Sequence, residues 1–492
     1  MHLASLMEVN AHGEHESISN DNKRGVIHSA ARSAIPSVAW NMTDGFDGCF
    51  VEVVRVRHPS ESWQCGNGRA YTRTLPHPLR HPPRYGRSFI ASAIGREDKA
   101  AGSLHGGAPG NPDPSCPSPE GVGALVVPTL VPVFRPLLPS AQEILPYLER
   151  IDQTRWYTNF GPLLDEFEQR LATHFDVDAS CIATAANGTL ALMASVATAT
   201  PARGQDVPIP AWTFPATALA VLGTGLRPYL CDIEEESWVI DVANIPPAVI
   251  RRSRALMPVA PFGAVPRFDS WMACAEHSGI PLIVDAAASF DQLASVGVPF
   301  GAPTMVMVSL HATKALGVGE GAVVVSNDPA WIERFRQYIN FGFSGTRRSD
   351  APGINAKLSE YAAAVGLAAL DGWAQARRQW VQTTAVFAKG LRALELRAQP
   401  GFGNGEISPY CVAEFASREI CDRAIAVLAA DGIESRRWWG LGLHTNPSLS
   451  DLPRGHLTRT DDISGRTIGL PFWRDIGSET TERVFTALLK AV

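Results

Sequence analysis

TMVMVSLHATKALGVGEGAVVVS, residues 304–326, sets two apolar runs around a hydroxyl at Ser309, a lysine at 314 and a glycine-rich turn. Neither TMVMVS nor AVVVS alternates with polar residues, so both predict strands covered on two faces rather than one. A lysine that follows such a strand, ahead of glycines that let a chain approach a ligand closely, is a candidate for chemistry. Its ordinary alternative is a surface residue whose stem lies along apolar neighbours while its head reaches water.

The same punctuation recurs outward from this stretch. DVPIP, RPYLCDI, RALMPVA, PLIVDA and GAVVVS are short apolar runs, and helical segments such as FDSWMACAEHSG and PAWIERFRQYI separate them. Apolar strands alternating with helices imply a mostly parallel sheet flanked by helices, an α/β fold whose ligands sit at the carboxyl ends of the strands. PSAQEILPYLERI opens on Ser140 with Glu143 three residues on, the pattern of a capping box. Residues 128–385 thus read as a large domain, and LSEYAAAVGLAALDGWAQARRQWVQTTAVFAKGLRAL as one long helical pattern leading out of it. PYCVAEFAS, REICDRAIAVLAADG, RTIGLPF and SETTERVFTALLKAV predict a smaller α+β domain over 386–492. Residues 1–127 differ, with PHPLRHPPRYGR and GGAPGNPDPSCPSPEG too rich in proline to sustain helix or strand, so a disordered extension or a misassigned start is expected.

Composition narrows the function. The 492 residues carry 43 basic and 49 acidic side chains, a net charge of -6, with no basic block suited to a nucleic acid. The eight cysteines lack the paired spacing of zinc or redox sites, so no metal is expected and a reducing cytoplasm fits best. GVGALVVPTLVPVF, the longest apolar stretch, is too short for a membrane span, and no secretory signal is read at the start.

Four segments at strand ends or helix starts make sense together. PLIVDAA ends a buried run on Asp285, where a carboxylate is costly unless a cation or hydrogen bonds compensate it; a helix cap is the plainer reading. ANGTLALM places Asn187, Gly188 and Thr189 at a helix start, where free N–H groups favour an anion or simply cap a helix. PAWTFPATA offers Trp212 and Phe214 as a flat apolar wall or as core rings. With Lys314 they supply what pyridoxal 5'-phosphate requires: an amine for a Schiff base, an acid for the pyridine nitrogen, an anion cradle and a wall for the ring. Lys314 would then carry a proton between carbons as general base and acid.

The run Ser309, His311, Lys314, Gly319, Glu320, Gly321 resembles the signature of the DegT/StrS-type sugar aminotransferases, a family of the fold type I pyridoxal-phosphate enzymes, over roughly residues 130–492. TNFGP, NGTLAL, TFPATA, IVDAA and GINAKLSEYAAAVGL carry the resemblance further. It implies a seven-stranded, mostly parallel sheet in the large domain, Lys314 as the Schiff-base lysine and Asp285 as the pyridinium partner. It further implies that Gly188, Thr189, the Leu190 backbone and Ser309 hold phosphate, that Phe214 stacks on the ring with Trp212 as second choice, and that Asn355 serves the neighbouring subunit of a homodimer. The sequence departs from the family at Ala288, where Gln or His is usual, and at Ala322, where the signature ends in glycine.

By that resemblance the expected reaction moves an amino group from glutamate to a nucleotide-linked keto sugar, dTDP-4-keto-6-deoxyglucose being the nearest model, in amino-sugar, polysaccharide or glycosylated-metabolite biosynthesis. His311 and, in RRWWGLGLHTN, Arg437, Trp438, Trp439 and His444 are candidate substrate contacts; an aromatic pair with a flanking salt bridge is the alternative for the latter group. A keto-sugar dehydratase of the same fold replaces the lysine with histidine, which Lys314 opposes, and a non-catalytic pyridoxal-phosphate-binding regulator is the remaining reading.

Overall fold

Apolar runs become strands here because both of their faces find a hydrophobic layer. The computed structural model describes residues 130–200, 204–264, 268–299 and 301–492; the extension expected over 1–127 lies outside them. The strands are β1 (Ile182–Ala185), β2 (Asp206–Pro210), β3 (Arg227–Cys231), β4 (Leu282–Asp285), β5 (Thr304–Ser309), β6 (Ala322–Ser326), β7 (Arg397–Ala398), β8 (Val412–Glu414) and β9 (Thr467–Gly469). One sheet has the order β1-β6-β5-β4, with β4 and β5 parallel and β6 antiparallel to both its neighbours. β2 and β3 pair in parallel. Between these two sheets runs the extended stretch 253–259, which bridges Asp206 on one side and Leu282 and Asp285 on the other, always in parallel. Through it the strands form the seven-membered array expected of this fold, in which β6 alone is reversed.

Period-two alternation divides the core. Val306 and Val308 join Leu282, Val284, Val323 and Val325 in one apolar layer, while Met305 and Met307 join Ile283, Val324 and Ile209 in the other. Each such side chain contributes about 1.5–3 kcal/mol by leaving water, and together they hold the strand ends in register. The reversal of β6 is made by residues 310–321, where Leu310 and Ala312 donate backbone bonds to the Gly321 and Gly319 carbonyls. Gly319 sits there at φ +97°, a conformation that side-chain-bearing residues rarely adopt. Lys314 is carried on this loop, which answers to the sequence pattern of strand, lysine and glycines.

Helices begin where the sequence supplies caps. Ser140 and Glu143 close a reciprocal capping box on helix Ala141–Thr154, and Asn187 caps helix Gly188–Thr198 by accepting from the Leu190 N–H at 3.0 Å. The single long helical pattern after residue 358 is two helices, Glu360–Asp371 and Trp373–Ala393, because Gly372, a weak helix former, stands between them. The expected domain boundary at 385/386 falls inside the second. β7, β8 and β9 form an antiparallel sheet accompanied by helices Arg418–Ala430 and Ser478–Leu489, the α+β pattern expected of this region. Among the described residues no helix is long and apolar enough to cross a membrane.

Candidate active site

Asp285 is the last residue of β4 and is 5% exposed. Its Oδ2 accepts from Thr217 Oγ1 at 2.8 Å and its Oδ1 from the Ala287 N–H at 3.2 Å. Among the described residues it makes no ion pair. Burial pushes its carboxyl above the ordinary carboxylate range; the two hydrogen bonds and the charge of Lys314 pull the other way. Lys314 and Asp285, separated in sequence by an entire strand, thus bear on each other electrostatically.

Lys314 lies half-buried on the β5–β6 loop, and its Nζ donates to the Tyr410 hydroxyl at 2.6 Å. Nζ is 5.0 Å from the centroid of the Tyr410 ring. With the hydroxyl so much nearer than the centroid, the amine sits at the oxygen end of the ring rather than over its face, and the hydrogen bond is the dominant contact.

The helix Gly188–Thr198 aims its amino end at the end of β5. A Cβ on Gly188 would stand 3.6 Å from Ser309 Cβ, in ordinary contact. Asn187 takes the Leu190 N–H, and helix geometry leaves the amides of Gly188 and Thr189 without a carbonyl one turn behind them. Ser309 Oγ accepts from the His311 N–H at 3.3 Å. Free amides, a hydroxyl and a helix dipole together suit a phosphate. Of the two candidate aromatic walls, Phe214 is 61% exposed at the start of helix Pro215–Gly223, whereas Trp212 is buried, edge-on to Trp238, Phe262 and Trp439. Phe214 therefore has a ring face to offer and Trp212 does not.

The remaining candidates divide. Asn355 is exposed, with its Oδ1 accepting from Lys357 Nζ at 2.8 Å. His311 is bonded locally, Nδ1 to Thr313 Oγ1 at 2.9 Å, with Nε2 3.7 Å from Glu320. Arg437 and His444, expected to face a substrate, are engaged within the fold instead. The Arg437 guanidinium donates to Asp422 and to the carbonyls of Ser464 and Gly465, and His444 Nε2 pairs with Asp461 at 2.9 Å. Trp439 stacks on Phe262 with centroids 4.2 Å apart, so the aromatic pair with a salt bridge describes this segment better than a substrate surface does. Trp438 alone of the four approaches the lysine's surroundings, packing edge-on against Tyr410 at 5.2 Å.

Sequence reasoning missed Thr217 and Tyr410. Thr217 carried a faint signal, since Thr213 and Thr217 stand four apart in a helix-start segment and their hydroxyls meet at 3.0 Å. Nothing local marked Tyr410. Ala288, in place of the family's Gln or His, is buried and brings only a methyl group.

Similarity to known proteins places this arrangement in a family: the model of the DegT/DnrJ/EryC1/StrS aminotransferase family matches residues 140–489. The chain belongs to this family. Protein Rv3402c of Mycobacterium tuberculosis is 31% identical over 376 residues, which cover 73% of this chain and 90% of that protein. The dTDP-4-amino-4,6-dideoxy-D-glucose transaminase of Escherichia coli is 28% identical over 380 residues, 73% of this chain and 98% of the relative. Among solved structures, DesI in the presence of its TDP-sugar product superposes with a TM-score of 0.65 at 28% identity, covering 74% of this chain and 92% of DesI. The family resemblance and the aminotransferase fold expected from the sequence are both borne out.

Proposed function

We propose that this family member uses pyridoxal phosphate to transfer an amino group from an amino-acid donor, glutamate by family resemblance, to a nucleotide-linked keto sugar. The observation that carries the reading is Asp285: a buried carboxyl with two neutral donors and no ion pair among the described residues is suited to a cationic partner, and a protonated pyridine nitrogen is one. Ser309, the Thr189 hydroxyl and the free amides of Gly188 and Thr189 would hold the phosphate, the Leu190 N–H expected from the resemblance being taken by Asn187, and Phe214 would cover the ring. Bound there, pyridoxal phosphate supplies an electron sink for the bond broken at the amine-bearing carbon. Asp285 keeps a proton on the ring nitrogen, Thr217 holds that carboxylate in place, and Lys314 Nζ takes and returns the proton at the substrate carbon.

The relatives' named substrates are dTDP and UDP sugars, and a dTDP-4-keto-6-deoxy sugar is the first choice here. A homodimer in which Asn355 serves the neighbouring subunit, a cytoplasmic location, and residues 386–492 as the smaller domain belong to the same proposal.

The test is a panel of nucleotide keto sugars incubated with glutamate and the purified chain, with products identified by mass. An amine in place of a carbonyl oxygen is expected. Loss of water as the sole change would instead indicate a dehydratase, and a coloured protein that never accepts an amine would indicate a regulator.

A further inference from the structure

A lysine that works by moving protons must be held somewhere when it is not bonded to anything else. Its side chain has four rotatable bonds, and fixing them costs up to about 2 kcal/mol of rotamer entropy unless a partner compensates. In this chain that partner is a tyrosine lying nearly a hundred residues away. The Lys314 Nζ to Tyr410 hydroxyl contact of 2.6 Å is the one hydrogen bond shown for the Lys314 side chain among the described residues.

Tyr410 is itself locked. Phe134, Phe262 and Trp438 meet its ring edge-on, with centroids 5.5, 5.8 and 5.2 Å away. Its backbone is held from both sides as well. The buried Gln399 amide donates to the Tyr410 carbonyl at 2.7 Å and accepts the Val412 N–H at 2.7 Å. Ser408 Oγ accepts the Tyr410 N–H at 3.0 Å and donates to the Phe262 carbonyl. A side chain fixed at its ring, its amide and its carbonyl places its hydroxyl in one spot. Among the described residues the Tyr410 hydroxyl meets Lys314 by a hydrogen bond and the Asp285 carboxylate bears on it through charge.

We infer that Tyr410 is the positioning residue for the reactive amine: its hydroxyl parks Lys314 Nζ beside the β4 and β5 strand ends, and the β7–β8 region holds that hydroxyl through Gln399 and Ser408. The inference rests on the proposed role of Lys314, yet the contact can be tested without it.

The experiment measures acetylation of Lys314 by acetic anhydride in the full chain, freed of any aldehyde with hydroxylamine, at one fixed pH. The amine nitrogen bonds to the acyl carbon, acetate leaves and the amine proton passes to water; peptide mass spectrometry reads each lysine. In Tyr410→Phe the ring and its packing persist and only the hydroxyl is lost. Lys314 should then react about tenfold faster, the size expected when a hydrogen bond to a charged group is removed, while Lys357 and Lys490 keep their rates. Gln399→Met, which leaves the hydroxyl but frees its backbone, should accelerate Lys314 by less, and it carries the same test should Tyr410→Phe fold poorly. Unchanged Lys314 labelling in a folded variant, or equal acceleration of all three lysines, overturns the inference. Pyridoxal phosphate binding by the wild-type chain is followed separately by absorbance. A chain that binds it but shows unchanged labelling sinks the role of Tyr410 alone, and one that shows the labelling change without binding sinks the cofactor reading alone.

Discussion

Thr217 donates its hydroxyl proton to Asp285 Oδ2 at 2.8 Å, and both residues are buried. The bond favours the ionised carboxylate, against the burial that pushes its carboxyl above the ordinary range. Thr217→Val keeps the shape and removes the donor. The carboxyl of Asp285 then rises further, and affinity for pyridoxal phosphate should fall roughly tenfold, the worth of one hydrogen bond to a charged group. Titration of the bound cofactor's absorbance measures it; an unaltered affinity would remove Thr217 from the site.

Lys314→Ala should abolish the coloured adduct with pyridoxal phosphate and lower turnover by at least about 10²–10⁴-fold, the range for a lost acid–base group. The melting temperature should stay close to that of the wild type, because the side chain gives the fold one hydrogen bond. Retention of both colour and turnover would move the chemistry elsewhere.

His174 links stability to acid. Its ring stacks on Phe290 with centroids 4.5 Å apart, its Nε2 is buried without a partner among the described residues, and burial holds its imidazolium below the usual 6.5 despite the nearby Asp291, with Arg377 adding to the depression. Below pH 6.5 the unfolded chain binds a proton that the folded chain resists, so stability falls with pH by up to about 1.4 kcal/mol per unit. His174→Phe removes that proton from both states. Urea unfolding between pH 7 and pH 5, a window chosen about the ordinary histidine value, should show a shallower loss for the variant; parallel profiles would mean that His174 does not titrate in this window.

Gly469 leaves room for the Trp438 indole, into which a Cβ at that position would run. Gly469→Ala should cost about 1–3 kcal/mol by overpacking and displace Trp438 toward Tyr410, its edge-on neighbour. Chemical denaturation gives the cost, and Lys314 acetylation should change together with it. A variant of wild-type stability would show that β9 yields more easily than the backbone contacts imply.

What could be read from the chain without coordinates was local in origin. Continuous apolar runs flanked by helical segments specify an α/β sheet, because a strand buried on both faces requires helices on both sides, and the ends of those runs already mark Asp285, Ser309 and Lys314. The capping signals at Ser140 and Asn187 were equally legible, since each acts within one turn of its own helix. Tertiary structure decided which side chains meet. Tyr410 reaches Lys314 from 96 residues away and Thr217 reaches Asp285 from 68, while Arg437 and His444 are drawn off to Asp422 and Asp461. A hydrogen bond depends on ångström-scale placement by the packed core, and no period or spacing in the sequence encodes that distance.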